Sequence, residues 1–419
     1  MEDKYNGVPA CNESAGGEEQ INADTDTEEK KKPSFSGIMK SIGKYIATLP
    51  VRIWKWIATA PLWYRIILIT AALCALIHML CTFSSALADF MIRYPNAAVR
   101  WILAHLTNFI PFSFAEMVIW IIPLLLAVLV GLGIHLVRKG SDRAYKKYLC
   151  ALMCILFSLY SMFVLTLAPG YRGKPLDEKI GLTQQDVSAE QLRETALWLA
   201  EKTNEYIDGQ AFETGGFSCM PYSLDEMNGK LNDAYANLAD KYSFVSHLRS
   251  NLKYIILSEP MTYTHISGVY SYYTGEANIN VNFPDYSVPF TAAHELAHQR
   301  GIAPENEANF VAFLACLESN DRYILYSAYS NMLEYCMSAL YEADDDMYYE
   351  VYRTFDDRLI GEFNAYSRFY DKYRENVVGE VSHAINDSYL QSQGQKAGSK
   401  SYGLVVDLAV AYYYANAAE

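Results

Sequence analysis

Two histidines one helical turn apart, with a glutamate beside the first, are the residues of this chain best spaced to do chemistry: His294-Glu295-Leu296-Ala297-His298. On an α-helix residues i and i+4 share a face, so both imidazoles can hold one zinc ion through nitrogens about 2.0–2.1 Å from it. Glu295 stands where a carboxylate can act as general base toward a metal-bound water. With 8 His in 419 residues, such a triple arises by chance in about one chain in a hundred of this composition. A lone histidine is more often an ordinary core or surface residue; a pair in this pattern reverses those odds.

The residues that follow supply the geometry. Gly301 is placed to end the histidine helix, because glycine takes the left-handed cap conformation cheaply. Pro304 suits the first turn of a second helix, where its missing N–H costs nothing. Two helices meeting at such a corner can deliver an acidic third ligand and leave a fourth position for water. Glu305 and Glu307 are two residues apart and so point about 200° away from one another, and only one can face the metal. Glu305 shares its face with Asn309, which could support a ligating imidazole, and Ala308 beside it allows close packing. Glu305 is therefore the favoured ligand and Glu307 the alternative, while both also fit as ordinary acids of a helix start.

His-Glu-x-x-His followed by a helix reading Glu-x-x-Ala-Asn-Phe resembles the gluzincin branch of zinc metallopeptidases. That resemblance implies Glu305 as the third zinc ligand. The short gap between His298 and Glu305 is instead similar to the compact metzincin loop, but Pro304 stands where metzincins carry a third histidine, so that assignment fails. The longer string His-Glu-Leu-Ala-His-Gln-Arg-Gly, with Pro289-Phe290-Thr291 and Gly275-Glu276-Ala277-Asn278 upstream, is more specific. Together with three apolar spans it resembles an uncharacterised bacterial membrane family, domain of unknown function 3810, from about residue 60 to the end. The resemblance implies a zincin-like domain and supplies no substrate.

The elements that must carry this site divide the chain. Three runs, 66–83, 117–137 and 148–167, are apolar enough to cross a bilayer core of about 30 Å. The first begins too far from the amino terminus to read as a signal peptide, and three such runs argue against buried core helices. Lys40, Lys44, Arg52, Lys55 and Arg65 precede the first span, and Arg138, Lys139, Arg143, Lys146 and Lys147 crowd the turn between the second and third. The loop between the first and second spans carries only Arg93 and Arg100. The positive-inside rule then makes the amino terminus and the second loop cytoplasmic and everything after about Pro169 extracytoplasmic. Residues 1–33 read as a disordered cytoplasmic tail, and 34–60 as an amphipathic segment on the inner membrane face, or else a plain linker. A similar amphipathic stretch near 97–109 is placed to lie on the outer face.

The expected division is therefore a three-helix membrane domain over 61–169 and a mainly helical extracytoplasmic domain over 170–419. The latter holds 18 Lys+Arg against 36 Asp+Glu, which argues against nucleic acid as a partner. Ser188-x-x-Gln191 and Ser223-x-x-Glu226 read as helix-starting caps, and 321–343 and 345–376 as long tyrosine-rich helices. Asn278–Asn282 alternates as a short edge strand, the element by which zincins align peptides, or as one strand of a hairpin without that role. Cys219, Cys316 and Cys336 make an odd set in this domain, so no disulfide scaffold is expected, and Cys316 falls on an apolar face. His247, Tyr263, His265 and His383 are candidates for stabilising an oxyanion, though each is individually more in keeping with a structural role.

The sequence thus predicts a membrane-anchored zinc metallopeptidase acting on a peptide or protein. Glu295 is the base, and His294, His298 and Glu305 hold Zn2+. The competing reading is an inactive, zinc-stabilised membrane sensor or scaffold.

Overall fold

A computed structural model describes residues 61–416, apart from 184, 185, 399 and 401–403, and five single positions before residue 61. The expectations for 1–33 and, those positions aside, for 34–60 lie outside the described residues.

Long apolar runs form the first helices. α1 (Leu62–Cys81), α4 (Phe114–Arg138) and α5 (Asp142–Thr166) coincide with the three expected spans and are long and apolar enough to cross a membrane. Around α4 the apolar side chains between Met117 and Val137 remain exposed on all sides, a surface suited to hydrocarbon. Between α1 and α4, where one amphipathic stretch is expected, there are two helices, α2 (Ser85–Arg93) and α3 (Pro95–Asn108). α3 is amphipathic: Asn96, Arg100, Ala104 and Thr107 are buried, and Trp101, Ile102 and Leu106 are exposed.

The remainder is mainly helical around a small sheet. α6 (Ala189–Ile207) opens with a complete capping box between Ser188 and Gln191, and α7 (Leu224–Lys241) with Ser223 accepting from the Glu226 N–H. β1 (Lys253–Tyr254), β2 (Gly268–Ser271) and β3 (Glu276–Ile279) form a sheet in the order β1-β3-β2, with β3 parallel to β1 and antiparallel to β2. Then come α8 (Val288–Gln299), α9 (Glu305–Leu317), α10 (Arg322–Ala343), α11 (Asp357–Asp371), α12 (Val377–Ser392) and α13 (Val405–Asn416). Ala292, Ala293 and Ala297 of α8 and Ala308, Ala312 and Ala315 of α9 are fully buried, small residues that let these two helices pack into one core.

Two expectations are corrected. The segment at 278–282 begins as the central strand β3, which spans 276–279 and pairs antiparallel with β2 as one arm of a hairpin, the alternative reading, and parallel with β1, so it is not an edge. All four β3 residues are buried, including Glu276 and Asn278, so alternation of polar and apolar types here does not mark a solvent face. The single long helix expected over 345–376 is broken, because Asp356 caps the start of α11 by accepting from the Arg358 N–H.

The sheet is tied to the end of α4. Glu276 of β3 accepts from the Phe114 and Ala115 N–H groups at 3.1 and 2.8 Å, supplying a carboxylate to the positive end of that helix. Glu116 in turn accepts from Ile256 N and Leu257 N, each at 2.9 Å, and Lys253 of β1 donates to the Thr107 and Ile110 carbonyls at 3.0 and 2.5 Å. Leu62–Glu419 forms one compact unit, and no gap in packing falls near residue 169.

Candidate metal centre

α8 presents His294, Glu295 and His298 from one buried turn, all less than a tenth exposed. Its start is prepared by Pro289 and by Ser327 of α10, whose hydroxyl takes the Phe290 N–H at 3.1 Å. Its end is a tight reversal at Gly301 (φ +99°), where a Cβ would stand 2.6 Å from the Arg100 guanidinium. The reversal aims the Ile302 carbonyl back at His298, whose Nδ1–H donates to it at 2.7 Å and leaves Nε2 facing the site. Pro304 caps α9 from just outside rather than from its first turn, and Glu305 is the first helical residue.

These elements bring three donor atoms into a nearly regular triangle. His294 Nε2 lies 3.0 Å from His298 Nε2, and Glu305 Oε2 lies 3.2 Å from each. A tetrahedral cation with bonds of about 2.0–2.1 Å spaces its ligand atoms about 3.3–3.4 Å apart, so this set fits a small metal ion with minor adjustment. Nitrogen and carboxylate donors of this kind suit zinc and related transition metals. Glu307 points elsewhere and accepts from the Leu176 N–H at 3.1 Å.

The electrostatics match the geometry. Burial pushes the Glu305 carboxyl up, but the His298 and His294 imidazoles overcome that and hold it well below the usual carboxylate range. Burial draws His298 down, and Glu305 beside it reverses the shift, lifting the imidazole to about 9. Burial lifts the Glu295 carboxyl to about 7, with the two imidazoles opposing. Its Oε2 is buried without a hydrogen-bond partner.

Glu295 is also pinned by the sheet. It accepts a backbone hydrogen bond from Tyr270 of β2, and Gly268 lets it approach so closely that a Cβ there would stand 2.6 Å from Oε1. A cavity of about 660 Å³ opens at His294 and Glu295, lined further by Gly268, Phe290, Asn309, Glu334 and Tyr335. Of the oxyanion candidates, His265 and His383 line this cavity. His265 is committed to structure: its backbone is left-handed (φ +63°) and its Nε2–H donates to the Tyr373 carbonyl at 2.6 Å. His247 lies instead beside Asp240 at 3.6 Å on an exposed surface, and Tyr263 packs edge-on to Tyr373. Asn309 donates to the Tyr335 hydroxyl at 3.2 Å.

Sequence reasoning missed Glu334 and Tyr335. A signal existed: between Arg322 and Tyr341 of a helix apolar on most faces, Glu334 is the one charged residue after Arg322.

The site rests on the end of α5. Gly170, four residues past that helix, meets the reversal so closely that a Cβ would fall 2.8 Å from Ala303 Cβ and 2.9 Å from the Gly301 carbonyl. Arg100 of α3 joins the same parts, donating to the Thr166, Ile92 and Arg300 carbonyls at 2.9, 2.9 and 3.2 Å.

No curated protein and no solved structure matches the chain. One family model does, over residues 92–410, a stretch that starts beyond α1 and takes in both α4–α5 and the triad. The chain belongs to that family, described as Protein of unknown function (DUF3810).

Proposed function

We propose that this protein is a membrane-anchored zinc metallopeptidase whose zincin-like domain faces the extracytoplasmic space. The observation that carries the reading is the triangle of His294 Nε2, His298 Nε2 and Glu305 Oε2 with the unpartnered Glu295 Oε2 beside it. Zinc held by those three residues would supply Lewis acidity, lowering the pKa of a bound water toward 7 and polarising a scissile carbonyl.

The chain's own groups have defined tasks. Glu295, with a carboxyl lifted to about 7 by burial, is matched to accept a proton at Oε2 near neutral pH and to return it to the leaving amine. Ile302 fixes the tautomer of His298, so that Nε2 offers a lone pair. Tyr335 is the best-placed oxyanion donor. It lines the cavity, its oxygen accepts from Asn309, and burial raises its pKa to about 12, which keeps its proton in place for donation.

β2 takes the aligning role first given to residues 278–282. Ser267 gives its carbonyl to Asn280 N at 2.9 Å, so alternation turns the Gly268 backbone groups to the outer edge, where Gly268 lines the cavity. An extended peptide can pair there. The basic turn between α4 and α5 supports placing the opposite ends of those helices, and the site with them, outside the cytoplasm.

A purely scaffolding metal site has no use for a buried carboxylate oxygen left without a partner. The test is Glu295→Gln in the full chain, assayed against a peptide mixture. The expected variant retains its metal and loses hydrolysis by at least about a hundredfold; a metal-loaded variant of undiminished activity would rule out the assigned base.

A further inference from the structure

We propose that Glu334 sets the substrate preference of this cleft by receiving a cationic side chain of a peptide, an alkylammonium or guanidinium, between the rings of Tyr335, Tyr366 and Tyr370. The proposal rests on the peptidase reading for its substrate class, but Glu334 stands apart from the metal ligands.

Place comes first. Glu334, Tyr366 and Tyr370 line the cavity that holds His294 and Glu295, and all three also line an adjoining cavity of about 800 Å³ walled by Tyr341, Tyr348 and Tyr352. Glu334 therefore sits where the two spaces meet.

Charge comes second. One carboxylate oxygen, Oε1, accepts from the Tyr286 hydroxyl at 2.9 Å, and the other has no hydrogen-bond partner among the described residues. No Lys, Arg or His among the described residues comes within ion-pair distance of it: Lys400, His265 and His383 line the first cavity without pairing with Glu334, and Arg374, which lines the second, pairs with Asp371 at 3.1 Å. A mostly buried carboxylate without a counter-charge is unfavourable, and burial accordingly lifts this carboxyl to about 7. A bound cation relieves that cost, whereas an acidic side chain is repelled and an apolar one leaves the charge stranded. Tyr335, Tyr366 and Tyr370 line the same space, and an aromatic ring attracts a cation held over its face.

Binding can be read without turnover. The full-length chain carrying Glu295→Gln, loaded with zinc in detergent, is titrated calorimetrically with a hexapeptide containing one central lysine and with its norleucine counterpart. The lysine peptide is expected to bind at least about tenfold more tightly, and adding Glu334→Gln to bring the two within about twofold. Glu334→Gln is close to isosteric and keeps an acceptor for Tyr286, and a thermal melt on the same sample checks its fold. Equal binding of the two peptides, a preference that survives Glu334→Gln, or no binding of the lysine peptide at millimolar concentration would each overturn the proposal. Zinc content measured on the same samples separates the two readings. A zinc-loaded chain without the preference sinks this subsite alone, and a preference in a chain that takes up no zinc sinks the peptidase reading alone.

Discussion

At the residue scale the site is a balance between burial and charge. Glu305 remains an anion because two imidazoles face it, while Glu295 and Glu334, with less compensation, are both lifted to about 7. The sign of the consequence for stability follows for Glu334. A carboxyl with an ordinary value of 4.5 in the unfolded chain and about 7 in the folded one binds more protons when folded. Its contribution is fully present below about pH 4.5 and is lost as pH rises toward about 7. Glu334→Gln should therefore match the parent chain in thermal stability near pH 4 and exceed it near pH 8, by on the order of 1–3 kcal/mol. Melting curves across that range check this, and a difference that does not change with pH would contradict it.

At the element scale the corner between α8 and α9 matters most, and it is also the part most legible in the sequence. His294, His298, Gly301 and Pro304 announced two short helices and a tight reversal, and Glu305 and Glu307 diverge as helical spacing requires. What was not legible has physical reasons. The strand at 276–279 is polar and yet central, because Glu276 and Asn278 are satisfied by the end of α4 rather than by solvent. Glu334 stands out in the sequence as a lone charge in an apolar helix, but that it and Tyr335 reach the site depends on the packing of α10 on α8, which spacing alone does not give. Gly301→Ala tests the corner, since it places a Cβ against Arg100 at a positive φ. A loss of about 1–3 kcal/mol of stability is expected, together with weakened metal binding as the Ile302 carbonyl leaves His298. An alanine variant of unchanged melting temperature and metal affinity would show that the reversal does not orient the ligand.

At the scale of the whole molecule, the spans do more than anchor a separate domain. The hydrogen bonds that Glu276 accepts from the start of α4, that Glu116 of α4 accepts from Ile256 and Leu257, that Lys253 donates to Thr107 and Ile110, and that Arg100 donates to Thr166 and Arg300 run across or converge on the boundary that charge and hydropathy place near residue 169. Composition could locate the spans but not these contacts. Orientation is open to direct test with single cysteines in a background lacking the native ones. Ser141→Cys, in the basic turn, should react with a membrane-impermeant maleimide only from the cytoplasmic side, and His247→Cys, exposed beside Asp240, only from the outside. The reverse pattern would put the cleft in the cytoplasm and remove the extracytoplasmic assignment.

The most direct test is the zinc content of the full-length chain purified in detergent, measured beside His294→Ala, Glu305→Ala and Glu307→Ala. One zinc per chain is expected for the parent and for Glu307→Ala, with zinc lost or at least about tenfold weaker in the other two. A folded parent chain that takes up no zinc, or a Glu305→Ala chain that binds it as tightly as the parent, would contradict the metal centre described above.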